Sequence, residues 1–262
     1  ILVTGKSGQV GFELLRSLAG LGQVIALGRD QMDLADPDSI RRAVRATGPD
    51  LIVNAAAYTA VDQAESEPEL ALAINGLAPG ILAEEARRAG AALIHYSTDY
   101  VFDGSKGAPY TEDDAPRPIS AYGRSKLAGE RAIQAVDVPH LILRASWIYG
   151  ARGRNFLLTI LRLARERDEL RIVDDQVGAP TWSRAIAEAT RGILEHLGYG
   201  KPAFRDGCAG QCGIYNLTAA GQTSWHGFAA AILAHAASAR PGESEFALAR
   251  MPVLKAIPTE QY

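Results

Sequence analysis

Tyr122 and Lys126 have the residue types and the spacing of a proton-transfer pair. They form Tyr-x-x-x-Lys within 120–135, a segment predicted to be helical, and the i, i+4 spacing puts both side chains on one face. A tyrosine with a pKa of about 10 exchanges protons poorly at neutral pH, and a neighbouring ammonium favours the phenolate. We therefore expect Lys126 to lower the pKa of Tyr122. The same spacing also fits an ordinary surface pair.

Two hydroxyl residues, Ser97 and Thr98, directly follow a predicted strand at 91–96. Ligands of parallel sheets bind beyond the carboxyl ends of the strands. A hydroxyl at that position can donate a hydrogen bond to a substrate carbonyl and stabilise the developing alkoxide. Together with Tyr122 and Lys126, such a hydroxyl predicts oxidation or reduction at a carbinol carbon.

A glycine loop precedes these residues. Gly5, Gly8 and Gly11 follow the apolar run 1–3 at a spacing of three, before a helix-like pattern. The first glycine permits a tight turn, the second lets the backbone approach a pyrophosphate, and the third lets the helix pack against the strand. Because the loop lies between a strand and a helix, it predicts a dinucleotide site, with a purely structural turn as the alternative.

The residues after the second predicted strand, 23–27, bear on the choice of cofactor. An NAD-binding protein usually has an acidic residue there, whereas this chain has Gly28 followed by Arg29. A small residue leaves room for a 2′-phosphate, and an arginine can pair with it. We expect NADPH. Asp30 or Asp33 could serve the ribose hydroxyls instead, so NADH stays open, and Arg29 could equally be a solvated surface charge.

Strands alternate with helices through the first part of the chain. This pattern predicts an α/β fold, a Rossmann-type doubly wound parallel sheet, with strands at 1–3, 23–27, 51–53, 91–96 and 140–144 and helices at 37–46, 67–88 and 120–135. The alternation weakens after Gly150, although 214–217 is expected to return to the main sheet. We therefore predict a dinucleotide-binding domain of 1–147 plus about 181–237. A smaller, discontinuous substrate-binding lobe would comprise 148–180 plus about 238–262.

Composition excludes several other classes of function. The 262 residues are 47% apolar and 22% charged, as in a folded globular protein, and the net charge of −3 argues against nucleic-acid binding. Neither a signal peptide nor an apolar run of about 18 residues is present, so no membrane partner is expected. Cys208 and Cys212 have no second cysteine pair with which to bind a metal, and so few cysteines favour a reducing cytoplasm.

Four segments carry a resemblance to a known family: GKSGQVG at 5–11, VNAAA at 53–57, YSTDYVF at 96–102 and YGRSK at 122–126. They resemble the extended short-chain dehydrogenases/reductases. Narrower markers, TAVDQAE at 59–65, RASWIY at 144–149 and DQVGAPT at 175–181, are similar to those of the dTDP-4-dehydrorhamnose reductase family. The resemblance implies reduction of the 4-keto group of dTDP-6-deoxy-L-lyxo-4-hexulose by NAD(P)H, giving dTDP-L-rhamnose for polysaccharide biosynthesis.

The resemblance also implies a role for each matching residue. Tyr122 would donate the proton, Lys126 would tune it and hold the nicotinamide ribose, and Thr98 would bind the keto oxygen beside Asp99 in the substrate pocket. The remaining implied contacts are Gly8, Gln9 and Val10 with the pyrophosphate, Asp33 and Leu34 with the adenine, Ala57, Tyr58, Thr59 and Tyr96 with the cofactor channel, and Trp147 with the sugar nucleotide. Trp147 follows a core strand and could simply pack there.

Other residues stay undecided or are expected to be structural. Asp175 and Gln176 could bind ligand or only cap a loop, and Asn155 is expected to cap a helix. His95 is expected in the core or behind the site. Family members continue past Tyr262 with an Arg-Pro pair and a serine that helps to seat the substrate, so we expect a missing segment. The resemblance is compatible with a homodimer. Only the resemblance suggests a bound Mg²⁺, and the sequence offers no ligand cluster for it.

Two rival functions share parts of this pattern. A nucleotide-sugar epimerase or dehydratase has the same loop and Tyr/Lys pair, but a dehydratase normally has a glutamate where this chain has Tyr100. A non-catalytic NADP-binding regulatory subunit should lose part of the Ser/Thr, Tyr and Lys set, which this chain retains.

Overall fold

The computed structural model describes residues 1–238, 248 and 250–262. Contacts divide the chain into two compact units, residues 1–145 with 184–217 and residues 146–183 with 218–262. The predicted division had placed about 181–237 in the first unit. Residues 218–237 belong instead to the second, because the helix that they contain packs on the second unit's own core.

Twelve strands and ten α-helices are formed within the described residues. The strands are β1 (Leu2–Thr4), β2 (Ile25–Leu27), β3 (Leu51–Asn54), β4 (Ala92–Thr98), β5 (His140–Ala145), β6 (Ile148–Tyr149), β7 (Glu169–Val173), β8 (Val177–Gly178), β9 (Thr181–Trp182), β10 (Gly213–Asn216), β11 (Thr223–Ser224) and β12 (Val253–Ile257). The helices are α1 (Gln9–Leu18), α2 (Pro37–Thr47), α3 (Val61–Ser66), α4 (Pro68–Leu72), α5 (Ala78–Ala89), α6 (Ala121–Gln134), α7 (Phe156–Glu166), α8 (Ser183–His196), α9 (Phe204–Ala209) and α10 (Trp225–Ser238).

The first unit contains a six-stranded parallel sheet in the order β10-β5-β4-β3-β1-β2. Every residue of β1, β3, β4 and β5 is buried, as expected of strands covered by helices on both faces. The predicted parallel sheet is confirmed, and so is the return of the late strand, since β10 pairs with β5. The carboxyl ends of β1, β3 and β4 therefore lie side by side at one edge of the sheet.

Local signals in the sequence begin and end several helices. The Asp36 carboxylate accepts a hydrogen bond from the Asp38 amide at the start of α2, and Gly48 ends that helix with a φ of +52°. Ser120 caps α6 by accepting a hydrogen bond from the Gly123 amide at 3.0 Å. This cap fixes the first turn of the helix on which Tyr122 and Lys126 lie.

The single helix predicted at 67–88 is interrupted. The chain forms α4, then a π-helical turn over Ala73–Leu77, then α5, and α3 before them was not predicted. A π-turn inserts an extra residue and changes the direction of the side chains that follow. Here the turn contains buried Asn75, and a Cβ on Gly129 of α6 would lie 2.1 Å from the Asn75 carbonyl oxygen. The turn thus packs closely against α6.

The second unit has a core of its own. Helices α7 and α10 pack together through a shared apolar cluster consisting of Ile160, Leu161, Ala164, Leu170, Phe228, Ala229, Ile232, Leu233 and Ala236. Its strands form three separate pairs, β7 with β12, β6 with β9 and β8 with β11. The Asn155 side chain accepts a hydrogen bond from the Leu158 amide at 3.0 Å, so the expected helix cap at α7 is confirmed.

Candidate active site

The glycine loop joins β1 to α1 through a conformation that other residues would disrupt. Gly5 has a φ of +71°, and a Cβ on Gly11 would lie 2.0 Å from the Gly5 carbonyl oxygen. Gly8 is exposed, donates its amide to that same carbonyl at 2.9 Å, and begins α1 without a side-chain cap. The exposed backbone at this helix N-terminus fits a pyrophosphate, because the helix dipole favours negative charge there.

Replacing Gly11 with alanine should displace α1 from β1. We expect Gly11→Ala to lower the free energy of unfolding by roughly 1–3 kcal/mol, the usual cost of forcing a methyl group into a packed contact. The matched control is Gly192→Ala in α8, where a Cβ would meet nothing within 4 Å. The free energy of unfolding of that variant should rise by about 0.5–1 kcal/mol, because alanine has a higher helix propensity than glycine. Urea titration measures both, and equal effects would contradict the assigned contact.

Two cations lie beside the end of β2. A Cβ on Gly28 would be 2.9 Å from Cε of Lys6, whose ammonium donates to the Gln31 side chain at 2.6 Å. Arg29 is largely exposed, and its Nε lies 3.9 Å from a carboxylate oxygen of Asp33. Lys6 was not predicted as a cofactor contact, because it lies in the glycine loop after β1 and not in the segment after β2 that was searched for one. The adjacency of β1 and β2 in a doubly wound sheet is the signal that could have found it.

The loop after β3 is held by Asn75. Its side-chain amide accepts from the Tyr58 amide at 2.8 Å, donates to the Tyr58 carbonyl at 2.9 Å and donates to Ser125 Oγ at 3.0 Å. The Tyr58 hydroxyl donates to Glu67 at 2.6 Å, and this hydrogen bond to the carboxylate raises the pKa of Tyr58 to about 12. Of the predicted channel residues here, Ala57 and Tyr58 are partly buried and Thr59 is exposed.

Thr98 and Tyr122 meet at the carboxyl end of β4. The Thr98 hydroxyl donates to an Asp99 carboxylate oxygen at 3.1 Å, accepts from the Tyr100 amide at 3.2 Å and lies beside the Tyr122 phenol, whose pKa it tends to lower. The Tyr100 ring lies edge-on to the Tyr122 ring with centroids 5.7 Å apart. The structure thus brings together three of the predicted site residues, Thr98, Asp99 and Tyr122.

The expected lowering of the pKa of Tyr122 is wrong for this structure. Burial raises its pKa above the ordinary value, the neighbouring Thr98 hydroxyl opposes that shift, and the negative charge of Asp99 adds to it. The Lys126 ammonium donates elsewhere, to the Tyr96 carbonyl at 2.6 Å. A raised pKa keeps the phenol protonated, which is the form that a proton donor requires.

Lys126 is buried, with 2% of its surface exposed. Burial lowers the pKa of Lys126 to about 8, while the negative charge of Glu130 opposes the shift. Tyr96, predicted to line the cofactor channel, contributes its backbone carbonyl to Lys126. Its phenol is buried and hydrogen-bonded to Thr190 of α8 at 2.6 Å, so the ring of Tyr96 packs within the fold.

A buried ion pair supports the same strand ends. Arg144 of β5 donates from Nε and Nη2 to Glu130 of α6 at 2.9 and 2.6 Å, and Ser97 donates to the same carboxylate at 2.5 Å. The Arg144 guanidinium lies 5.0 Å from the centre of the Phe102 ring. This cluster was missed because each charge stands alone in the sequence, and the strand order is needed to bring them together.

Trp147 lies in the second unit in a strained conformation. It is the non-glycine residue with positive φ, +43°, among residues 1–238, 248 and 250–262. Its ring stacks on Trp225 with centroids 3.4 Å apart, and a Cβ on Gly178 would lie 2.4 Å from it. Such strain persists where packing enforces it and is frequent at ligand sites. Both the packing and the ligand interpretation of Trp147 therefore remain consistent with its surroundings.

The structure gives several other predicted residues structural contacts. Leu34 is buried in the apolar core of the first unit, and the Asp33 carboxylate accepts from the Ala35 amide at 3.0 Å. Asp175 accepts hydrogen bonds from the Thr259 amide and hydroxyl, and the Gln176 side chain also reaches Thr259, at 3.1 Å. These contacts favour the loop-capping interpretation of Asp175 and Gln176.

Among the described residues, the cysteines and other ionisable groups form no metal centre. Cys208 is buried on α9, and the exposed Cys212 accepts a hydrogen bond from the His140 amide at 3.2 Å. Across 1–238, 248 and 250–262, no group of three His, Cys, Asp or Glu side chains is placed to hold a metal ion. In that same part of the chain no helix combines the length and apolar character needed to cross a bilayer.

The fold and the site together define a class of protein. A glycine loop between β1 and α1 and a hydroxyl, a tyrosine and a lysine at the ends of β4 and α6 are the features of a Rossmann-type enzyme of the extended short-chain dehydrogenase/reductase class. A solved UDP-glucose 4-epimerase from Thermus thermophilus, in complex with NAD, shares this fold with a TM-score of 0.75 and 23% identity over 98% of this chain and 86% of its own.

More similar proteins identify the family. The family model described as the RmlD substrate binding domain matches residues 1–262. The dTDP-4-dehydrorhamnose reductases of Burkholderia thailandensis and Escherichia coli K12 are 52% and 44% identical over all of this chain and 85% and 84% of their own. The Bacillus anthracis reductase, solved with NADP, has a TM-score of 0.85 and 32% identity over 99% of this chain and 84% of its own. The chain belongs to the dTDP-4-dehydrorhamnose reductase family.

Proposed function

We propose that this protein reduces the 4-keto group of dTDP-6-deoxy-L-lyxo-4-hexulose to give dTDP-L-rhamnose, using a nicotinamide cofactor. The observation that carries the proposal is the placement of Thr98 beside Tyr122 at the carboxyl end of β4, in a chain 44–52% identical throughout to named reductases. The acceptor is a dTDP sugar, and the reaction requires neither nucleic acid nor membrane. The low cysteine content favours the cytoplasm as its compartment.

Each residue of the proposed site has a distinct task. Thr98 turns its hydroxyl from Asp99 to the keto oxygen and so orients the carbonyl. When bound, the nicotinamide supplies the hydride to C4 of the sugar. Tyr122 gives its phenolic proton to the same oxygen, which completes the hydroxyl group. Lys126 holds a positive charge beside the carbonyl of Tyr96, where it is placed to bind ribose hydroxyls and to favour reprotonation of Tyr122.

The residues of the glycine loop fit the proposed cofactor. The uncapped N-terminus of α1 at Gly8 offers backbone groups to a pyrophosphate, with Gln9 and Val10 in its first turn. At the end of β2, Gly28 leaves space beside the cations of Lys6 and Arg29. Two cations next to a residue without a side chain favour a 2′-phosphate, so we propose NADPH as the preferred form.

Replacing Arg29 should change the preference between the two nicotinamides. We expect Arg29→Ala to weaken NADPH binding by roughly tenfold or more, the usual effect of losing one charge-assisted hydrogen bond, and to leave NADH nearly unchanged. Arg41→Ala, which removes an arginine from α2, is the matched control. Fluorescence titration measures both affinities. Equal weakening of NADPH and NADH would remove Arg29 as the phosphate contact and leave Lys6 to be tested alone.

Absorbance at 340 nm tests the proposed reaction against its rivals. The protein is mixed with NADPH or NADH and a panel of dTDP- and UDP-linked 4-keto sugars. Stoichiometric cofactor oxidation with the dTDP-6-deoxy-L-lyxo sugar is expected. Sugar conversion without net oxidation would indicate an epimerase or a dehydratase, and cofactor binding without any turnover would indicate a regulatory subunit.

A further inference from the structure

Four buried polar side chains form a continuous chain from the glycine-loop strand to Lys126. Thr4, Asn54 and His95 occupy one row across β1, β3 and β4, since Thr4 pairs with Asn54 and Asn54 pairs with His95 in the strand register. Thr4 Oγ1 lies 2.6 Å from Asn54 Oδ1, Asn54 Nδ2 lies 2.9 Å from His95 Nδ1, and His95 Nε2 lies 3.2 Å from Lys126 Nζ. Each is at most 2% exposed.

His95 limits the donor and acceptor roles in this row of hydrogen-bonded side chains. Burial and the adjacent Lys126 ammonium hold the pKa of His95 well below its ordinary value, so its ring is neutral and has one N–H. Both ring nitrogens face a polar partner. One of them must therefore donate and the other must accept.

The state of Lys126 decides which nitrogen of His95 donates. An ammonium has no lone pair, so it can only donate to Nε2; Nδ1 then has the hydrogen and must donate to the Asn54 side-chain oxygen. A neutral Lys126 can accept from Nε2–H; Nδ1 then accepts from the Asn54 N–H, and Thr4 donates to the Asn54 oxygen. The Asn54 amide has the orientation of the second arrangement in the structure, with Nδ2 toward His95 and Oδ1 toward Thr4. The first arrangement needs a 180° rotation of this amide and one shift of tautomer.

Both arrangements are accessible under ordinary conditions. The groups that act on Lys126 are the carboxylate of Glu130 on α6, which is paired with Arg144 of β5, the imidazole of His95 on β4, and the carbonyl of Tyr96. Burial outweighs the attraction of Glu130 and brings the pKa of Lys126 to about 8. Lys126 is thus mainly an ammonium at neutral pH and mainly an amine from about pH 9 upward.

We propose that His95 is a positioning residue that fixes Lys126 through Nε2, and that the tautomer of His95 follows the protonation of Lys126. The importance of this link for turnover rests on the proposed function, whereas the tautomer is a property of the protein alone. A catalytic lysine that is held on both sides, by Tyr96 and by His95, keeps its ammonium in one place while the phenol of Tyr122 changes its charge.

Nitrogen-15 NMR of the intact protein labelled at histidine tests the tautomer directly. The His95 signals are assigned by their loss in His95→Gln. We expect Nδ1 to be the protonated nitrogen at pH 6.5 and Nε2 at pH 9.5, with the interchange near the pKa of Lys126. A proton on Nε2 at pH 6.5, or a tautomer that does not change between these pH values, would overturn the proposal.

Kinetics of matched variants test the positioning role. His95→Leu should lower kcat by roughly tenfold to a hundredfold, because a displaced Lys126 loses its alignment, with little change in KM for the keto sugar. His95→Gln keeps a hydrogen-bond acceptor and should recover most of kcat. His140→Leu, at the start of β5, is the control for loss of a buried histidine and should change stability only. If His95→Gln loses as much kcat as His95→Leu, or if His140→Leu lowers kcat equally, the positioning role is refuted.

The two proposals can fail separately. A wild-type protein that shows the tautomer change but no oxidation of NADPH would retain the link between His95 and Lys126 and lose the proposed reductase function. Oxidation of NADPH by a protein whose His95 tautomer does not change with pH would retain the proposed reductase function and refute the link between His95 and Lys126. Because the NMR measurement uses the wild-type chain, it remains decisive even when His95→Leu does not fold.

Discussion

Tyr122→Phe should lower kcat by roughly 10²–10⁴-fold, the usual contribution of a positioned proton donor, and should leave cofactor affinity within about twofold. The substitution removes one oxygen beside Thr98, while the ring can keep its edge-on contact with Tyr100. The loss falls on the transition state, where the keto oxygen needs a proton. Initial rates of NADPH oxidation and a separate binding titration measure the two quantities.

Tyr110→Phe is the matched control for loss of a phenolic hydroxyl. The Tyr110 hydroxyl donates to Asp103 at 2.8 Å in a loop of the same unit. Tyr110→Phe should retain the wild-type kcat, because the hydroxyl that it removes bonds only Asp103 and the Lys106 amide among the described residues. If Tyr122→Phe also keeps near-full activity, Tyr122 is not the proton donor. If it instead loses cofactor binding in proportion to its rate, its role is in binding and not in proton transfer.

Arg144→Met should lower the free energy of unfolding by about 3–5 kcal/mol, because it leaves the Glu130 carboxylate buried without its partner. Both side chains are almost completely enclosed, and Glu130 also holds Ser97 at the end of β4. The remaining guanidinium nitrogen, Nη1, is buried and has no hydrogen-bond partner among the described residues, which reduces what the pair contributes in the wild type. Urea denaturation at neutral pH measures the change.

Two further variants separate the buried charge from the loss of an arginine. Arg191→Met breaks an exposed pair with Glu195 on α8 and should have little effect. The double variant Glu130→Leu/Arg144→Met removes both buried charges and should recover much of the lost stability. Equal losses for Arg144→Met and Arg191→Met would contradict the importance assigned to the buried pair.

The parts of the site that depend on short-range sequence signals could be predicted. The glycine loop needs only a strand, three glycines and a helix, and Tyr122 and Lys126 need only helical spacing. The caps at Asp36 and Asn155 are likewise set by the residue and the amide two or three positions later. In each case the interacting groups belong to one segment, so no knowledge of the sheet is required.

The parts that depend on strand order could not be predicted. Thr4, Asn54 and His95 lie about 40–50 residues apart and meet only because β1, β3 and β4 are adjacent and in register. The raised pKa of Tyr122 depends on how deeply α6 is buried, which the Tyr-x-x-x-Lys motif does not specify. The predicted domain boundary failed for a similar reason, since the apolar face of α10 does not indicate which core it covers.

The central claim is transfer of a hydride to the C4 carbon of the sugar, and isotope transfer measures it most directly. The protein is incubated with NADPH carrying deuterium at C4 of the nicotinamide, prepared separately with each face labelled, and with dTDP-6-deoxy-L-lyxo-4-hexulose. NMR of the nucleotide sugar should show deuterium at C4 of the product from one of the two cofactors. Product without deuterium at C4 from either cofactor would contradict the account.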